Sequence, residues 1–184
     1  MKLILASKSP RRKEILKREG FTFEIVSKNT DETMDVSLSP YQNVMNVARK
    51  KGEAGASLFS TDTIVCLDGK IYGKPKDRKD AYNTLATFSG MTHEVVSGVS
   101  IISKKLSMTM YVKSYVTFKK LTKEMIDDYL KTDEPYDKAG SYAIQGEGRS
   151  LIEGYSGSLD NIIGLPIEYI KDMLRVMLNE VENR

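Results

Sequence analysis

The sequence has little of what several common functional sites require. Among its 184 residues there are one cysteine and one histidine. A single cysteine excludes an intramolecular disulfide and a metal site built from several thiolates. A single histidine excludes the zinc sites that need two or three imidazole ligands. We therefore expect any metal ion to be a hard cation with oxygen ligands.

Long apolar runs and a strong excess of one charge are also absent. No apolar stretch approaches the ~20 residues needed to cross a bilayer, and basic residues from Lys8 onward interrupt the apolar start, which argues against a signal peptide. The net charge of +3 is too weak to indicate a nucleic-acid partner, but it suits a small anionic ligand. We predict a cytoplasmic protein without a membrane or nucleic-acid partner.

What is present is typical of a globular protein. Hydrophobic residues make up 40% of the chain and charged residues 29%. The length is close to that of one domain, so we predict a single domain over residues 1–184. Helical and strand patterns alternate along the chain, which favours an α/β fold with a mixed, twisted sheet flanked by helices.

Helix starts are marked by capping residues and by proline at the first helical position. The predicted N-caps are Ser9, Ser39, Asp77 and Thr122. The last helix begins at Pro166 and carries an apolar stripe, which is either core or the interface of a homodimer. The stripe consists of Ile167, Ile170, Met173, Leu174, Met177 and Val181.

Short apolar and β-branched runs predict strands. They cover residues 2–6, 21–26, 63–67, 71–72, 94–103 and 108–118. Asp68-Gly69 predicts a hairpin turn, and Lys104-Lys105 is expected to join the last two strands. Residues 133–164 show little periodicity, and a segment of this length is typically functional or contains further short strands.

The run from Ser7 to Arg12 predicts an anion site. A strand, a short loop and a helix start follow one another there, so unpaired backbone N–H groups and the helix dipole face the loop. Arg11 and Arg12 oppose the dipole at a cost of about 0.3–1 kcal/mol, which a bound polyanion would reverse. The alternative is a solvated basic helix start. No Walker-type phosphate loop is present.

Other candidates are weaker when taken one at a time. Asp62 precedes an apolar strand, where carboxylates often line a ligand crevice, although a strand-edge aspartate is equally typical. Lys51 lies on the apolar face of its helix, so it extends to solvent, binds the last carbonyls of the helix or meets an anion. Lys74 lies in a loop with glycine and proline, and Asp31 and Glu32 in a polar loop; all three suit plain solvent exposure as well.

Eight segments occur in an order that is specific when they are taken together. They are Leu5-Ala6-Ser7-Lys8-Ser9-Pro10-Arg11-Arg12, Asp31-Glu32-Thr33, Ala48-Arg49-Lys50-Lys51, Asp62-Thr63-Ile64-Val65, Gly73-Lys74-Pro75, Phe88-Ser89-Gly90-Met91-Thr92-His93, Asp137-Lys138-Ala139-Gly140-Ser141-Tyr142-Ala143-Ile144-Gln145-Gly146 and Gly164-Leu165-Pro166. Over nearly the whole chain, this set resembles the Maf family of nucleotide pyrophosphatases. The resemblance implies a two-lobed fold with a central cleft, similar to that of inosine triphosphate pyrophosphatases.

The resemblance also implies an activity, the hydrolysis of a nucleoside triphosphate to its monophosphate and pyrophosphate. Asp62 matches the catalytic acidic residue, and together with Glu32 it is expected to bind Mg²⁺ or Mn²⁺. The positions that match phosphate-binding residues are Ser7, Arg11, Arg12, Lys51 and Lys74. The positions that match the subfamily acting on dTTP and UTP are Arg11, Thr63 and Gln145.

Two other functions stay open. The family is associated with division and septum formation, so a regulator acting through a partner surface is one alternative. A pyrophosphatase for 7-methyl-GTP is the other, although Arg11, Thr63 and Gln145 argue against it.

Some residues depart from the family pattern or are expected to be structural. The departures are Gly52, Thr61, Met91 and Leu159. None of them is a presumed catalytic position. His93 and Cys66 are interpreted as structural residues rather than as a base and a nucleophile.

Overall fold

The computed structural model describes residues 3–26, 30–55, 59–103 and 106–182. The strands in this part of the chain are β1 (Leu3–Leu5), β2 (Phe23–Ile25), β3 (Phe59–Leu67), β4 (Lys70–Tyr72), β5 (Thr92–Ile102), β6 (Ser107–Phe118) and β7 (Ile152–Ser156). The α-helices are α1 (Pro10–Arg18), α2 (Pro40–Gly55), α3 (Arg78–Phe88), α4 (Lys123–Tyr129), α5 (Leu159–Ile163) and α6 (Ile167–Glu182).

The strands form one seven-stranded sheet in the order β2-β1-β3-β5-β6-β7, with β4 paired to β3. Strand β1 is parallel to β2 and β3, whereas β4 is antiparallel to β3 and β7 is antiparallel to β6. The predicted α/β fold with a mixed sheet is therefore confirmed.

The chain divides into two compact units. The first comprises Met1–Asp62, Ser97–Val112 and Gly164–Arg184, and the second comprises Thr63–Val96 and Lys113–Ile163. The single domain over residues 1–184 stays a prediction.

The apolar stripe of α6 belongs to the core of the first unit. Its buried members are Ile167, Ile170, Met173, Leu174 and Met177. The side chain of Val181 lies outside the described part of the structure. Of the two interpretations, core is the one confirmed, and the homodimer stays a prediction.

In the second unit, His93 is buried among aromatic side chains. His93 is only 1% exposed and stacks on Phe88 with ring centroids 4.3 Å apart. Its Nε2 lies 2.8 Å from the Tyr142 hydroxyl. Burial lowers the pKa of His93 to about 3, so the ring is neutral at physiological pH. Both His93 and Cys66 are buried, as expected of the structural residues that the sequence predicts.

Local sequence signals account for three helix starts and one hairpin turn. Side chains cap three of the predicted helix starts, because the oxygens of Ser39, Asp77 and Thr122 accept hydrogen bonds from the backbone N–H groups three residues later. Asp68 and Gly69 have positive φ angles of 49° and 78°, as a tight hairpin turn requires.

The predicted cap at Ser9 was wrong. Helix α1 begins at Pro10, but in the described structure the Ser9 side chain makes no capping hydrogen bond. Instead, the Ser7 hydroxyl accepts a hydrogen bond from the Ser9 backbone N–H at 3.2 Å. This hydrogen bond stabilises the loop before the helix.

The turn predicted at Lys104-Lys105 lies outside the described residues. The aperiodic segment 133–164 contains short 3-10 helices at Glu134–Asp137, Ala139–Ser141 and Glu147–Leu151, followed by β7 and α5. None of the helices within the described ranges is long and apolar enough to span a bilayer.

Candidate functional site

Helix α2 lies very close to the strands beneath it in the first unit. A Cβ atom at Gly98 would lie 2.3 Å from the Val44 carbonyl oxygen, and one at Gly52 would lie 2.8 Å from Ile102 Cδ1. The Ser60 hydroxyl donates to the Ala48 carbonyl at 2.6 Å. Gly52, which departs from the family pattern, therefore leaves space for the Ile102 side chain that a larger residue would occupy.

This packing places Lys51 between two carboxylates. Its Nζ lies 2.7 Å from Asp62 Oδ1 and 2.9 Å from Glu32 Oε1. The side chains of Lys51 and Asp62 are each 13% exposed, whereas that of Glu32 is 61% exposed. Three of the predicted site residues, from a helix, a loop and a strand, thus meet at one amine.

Arg12 connects the start of α1 to the segment before α6. Its Nη1 donates to Ser7 Oγ at 3.0 Å, and its Nε donates to the Gly164 carbonyl at 2.9 Å. Burial lowers the pKa of the Arg12 guanidinium, while the charge of Asp62 raises it. Arg12 therefore lies within electrostatic range of the Lys51–Asp62 pair, and its position is fixed by hydrogen bonds.

The Gly164 carbonyl is a contact that residue-by-residue analysis of the sequence missed. A backbone oxygen can belong to any residue type, so composition and spacing do not reveal it. The only available signal was that Gly164-Leu165-Pro166 is among the segments resembling the family.

Two buried polar atoms in this unit have no hydrogen-bond partner within the described ranges. They are Arg11 Nε and Thr61 Oγ1. A buried donor or acceptor without a partner is unfavourable, and such groups are found where a site awaits a ligand or where packing dominates. Arg11, at the start of α1, suits the first case, whereas Thr61 lies inside β3 and suits the second.

The contacts so far all lie within the first unit. Thr63, Lys74 and Gln145 belong to the second. There Lys74 and Gln145 are exposed, and Thr63 is half-buried. The loop of Lys74 is held by a hydrogen bond from the Gly140 N–H to the Gly73 carbonyl at 3.1 Å. That these three residues form one site with Arg11, Arg12 and Lys51 stays a prediction.

The two carboxylates around Lys51 form a donor set that fits a hard cation. Within the described residues there is no group of three or more histidine, cysteine or acidic side chains that could hold a metal ion. Mg²⁺, however, is commonly bound by one or two carboxylates together with water and substrate phosphates. Among the contacts of the described residues, Glu32 and Asp62 each bind Lys51 through one oxygen, which leaves the second oxygen of each for such an ion.

The chain is similar to known proteins of one family over nearly its whole length. Residues 2–177 match the family described as Maf-like protein. A dTTP/UTP pyrophosphatase of Bacillus pumilus is 44% identical over 171 residues, which cover 90% of each chain. One of Bacillus cytotoxicus is 45% identical over 172 residues, with the same coverage. One of Caldicellulosiruptor saccharolyticus is 42% identical over 186 residues, covering 95% of this chain and 94% of that protein. Since the family match spans nearly the whole chain, the chain belongs to the Maf family.

Proposed function

We propose that this protein is a nucleoside triphosphate pyrophosphatase that hydrolyses dTTP and UTP to the monophosphate and pyrophosphate. The observation that carries the proposal is the Lys51 amine held by Asp62 and Glu32 within electrostatic range of the Arg12 guanidinium. The relatives named above, which are dTTP/UTP pyrophosphatases, support the same reaction and substrates.

The cations in this proposal neutralise the triphosphate. Arg12 is oriented by Ser7 and Gly164, so its guanidinium is in position before a substrate arrives. Lys51 forms an ion pair with Glu32, and because the Glu32 side chain is exposed, a phosphate group can take its place beside the Lys51 amine. Arg11 and Lys74 supply further positive charge. Such preorganised cations stabilise the charge that develops on the leaving pyrophosphate.

Asp62 is proposed to act on the attacking water. The Lys51 contact holds its carboxylate in place, and a carboxylate oxygen can accept the proton of a water that attacks the α-phosphorus. The bond between the α-phosphorus and the bridging oxygen then breaks, and pyrophosphate leaves.

Mg²⁺ or Mn²⁺ is proposed to bind through Glu32 and Asp62. When bound, such an ion supplies neutralisation of the phosphate oxygens and helps to orient them.

A cytoplasmic location is proposed on the composition alone, which has one cysteine and no long apolar run.

Base selection is assigned to Gln145 together with Arg11 and Thr63. A glutamine amide has one donor face and one acceptor face. It can therefore pair with the O4 and N3–H edge that uracil and thymine share. Cytosine reverses that donor and acceptor pattern, so CTP should be a poorer substrate.

A nucleotide panel tests the proposal. The purified protein is incubated with dTTP, UTP, CTP, ATP and 7-methyl-GTP, with Mg²⁺, with Mn²⁺ or with a chelator. We expect dTTP and UTP to give pyrophosphate and the monophosphate, and the chelator to abolish turnover. Release of orthophosphate, absence of turnover or a preference for 7-methyl-GTP would contradict it.

A further inference from the structure

One carboxylate holds the loop that follows Gln145. Glu134 Oε1 accepts hydrogen bonds from the Tyr129 hydroxyl at 2.9 Å and from the Gly148 N–H at 2.8 Å. Glu134 Oε2 accepts the Glu147 N–H at 3.0 Å. The side chain of Glu134 thereby ties the end of α4 to two successive backbone amides of the loop, all within the second unit.

The loop backbone lies directly against this carboxylate. A Cβ atom at Gly146 would lie 1.6 Å from Glu134 Oε2, and one at Gly148 would lie 2.9 Å from the Tyr129 hydroxyl. A side chain at position 146 would overlap the Glu134 carboxylate, and one at position 148 would meet the Tyr129 hydroxyl and the Ala143 backbone. Because Gly146 follows Gln145 directly, the carboxylate restrains the backbone within one residue of the amide.

The Tyr129 phenol is a protonated donor to this carboxylate. Tyr129 is 5% exposed. Burial raises the pKa of Tyr129, and the hydrogen bond and charge of Glu134 raise it further. The phenol therefore remains a donor, which leaves Glu134 anchored on the helix side as well as on the loop side.

We infer that Glu134 is a positioning residue for base selection, which acts by fixing the backbone from which Gln145 projects. This inference rests on the proposed function. A glutamine amide turned by half a rotation presents the reversed pattern and accepts cytosine. Recognition of uracil also requires the amide to lie at hydrogen-bond distance from the base, and that distance depends on where the backbone of Gln145 is held. The three hydrogen bonds to Glu134 restrain the loop that adjoins Gln145.

The test compares Glu134→Gln with Glu147→Gln. Both changes remove one negative charge, but the Glu147 side chain is exposed, and only its backbone N–H contacts Glu134. In Glu134→Gln one carboxylate oxygen becomes an NH₂ group, which cannot accept a backbone N–H. We expect the UTP-to-CTP ratio of kcat/KM to fall about tenfold, as the loss of a charge-assisted hydrogen bond would give.

The kinetic constants separate positioning from general damage. For Glu134→Gln we expect the KM for UTP to rise while kcat changes by less than about twofold, because binding is affected and Asp62 is not. Glu147→Gln should match the wild type. An unchanged UTP-to-CTP ratio in Glu134→Gln, or an equal loss in Glu147→Gln, would overturn the inference.

A double-mutant cycle shows whether Glu134 acts through Gln145. Gln145→Ala alone should lower the UTP-to-CTP ratio, and adding Glu134→Gln should lower it no further. An additive effect would overturn the inference, as would a Gln145→Ala variant with an unchanged ratio. If Glu134→Gln does not fold, Tyr129→Phe removes one of the three hydrogen bonds without a charge change and is expected to give a smaller loss in the same direction.

The outcome is distinguishable from failure of the proposed function. If the wild type does not release pyrophosphate from UTP, the proposed reaction fails, and the inference is then judged by the ratio of the UMP and CMP dissociation constants. If the wild type prefers UTP and Glu134→Gln keeps the same preference, only the inference fails.

Discussion

The amine of Lys51 lies 2.7 Å from the carboxylate of Asp62, and both side chains are 13% exposed. Removing one partner of a shielded ion pair leaves the other charge without compensation, which is far more unfavourable than losing an exposed pair. Here the more exposed Glu32 is a second partner for Lys51 at 2.9 Å. Lys51 therefore keeps one carboxylate when a variant or a ligand displaces the other.

This arrangement makes Asp62→Asn a clean test of catalysis. We expect kcat to fall by about 10²–10⁴, the usual contribution of a general base, while the fold is retained because Glu32 still contacts Lys51. Pyrophosphate release and circular dichroism measure the two effects.

The matched control for this variant is Asp68→Asn. Asp68 is an exposed residue of the hairpin turn with a φ angle of 49°, which asparagine tolerates. It should keep wild-type activity. Near-normal turnover of Asp62→Asn would remove Asp62 from its proposed role.

The close packing of α2 gives a prediction about stability. In Gly98→Ala the new Cβ would meet the Val44 carbonyl, a backbone atom that cannot rotate away. We expect the free energy of unfolding to fall by about 1–3 kcal/mol, as for overpacked cores, and urea denaturation measures it. Gly154→Ala is the control, since a Cβ there meets nothing within 4 Å. Equal stability of the two variants would contradict the close approach.

A substitution at Thr61 is expected to raise the free energy of unfolding. Its hydroxyl is fully buried and has no partner in the part of the chain that the structure describes. Thr61→Val keeps the shape and removes the unsatisfied group, so we expect the protein to be more stable by about 1 kcal/mol.

Thr122→Val is the comparison for Thr61→Val. The Thr122 hydroxyl caps α4 by accepting the Met125 N–H, so the same substitution there should destabilise by about 0.5–2 kcal/mol. Thermal unfolding of both variants shows whether each is more or less stable than the wild type. A Thr61→Val variant less stable than the wild type would show that the hydroxyl has a partner.

His93 predicts how stability depends on pH. Its pKa is lowered to about 3 by burial in the folded state, whereas an unfolded histidine titrates near 6.5. The unfolded chain therefore binds the extra proton between these values, so stability is complete above about pH 6.5 and falls as the pH is lowered. The slope approaches 1.4 kcal/mol per pH unit.

Since His93 is the only histidine, the window from pH 6.5 to 5 is nearly free of other titrating side chains. Denaturant unfolding across that window should show the slope in the wild type and a flat profile in His93→Phe, which keeps a ring beside Phe88. The same slope in both proteins would show that other groups cause it.

Local signals in the sequence predicted the elements well. The caps at Asp77 and Thr122 and the hairpin at Asp68-Gly69 depend only on residues that are neighbours in the chain, and the structure confirms them. Ser9 was wrong as a cap, since in the described structure its side chain makes no capping hydrogen bond. The sequence did not predict the individual elements of residues 133–164, because 3-10 helices and a short strand leave no periodic pattern.

By itself the sequence determined the type of chemistry and the family. One cysteine and one histidine exclude metal sites built from several thiolates or several imidazoles, and the order of the segments identifies the family. Only the tertiary structure decided that Lys51, Glu32 and Asp62 meet at one amine, and that Glu134 holds the loop after Gln145. The reason is physical: composition and local periodicity report on neighbours in the chain, whereas these contacts arise from close packing between elements, which no short-range pattern records.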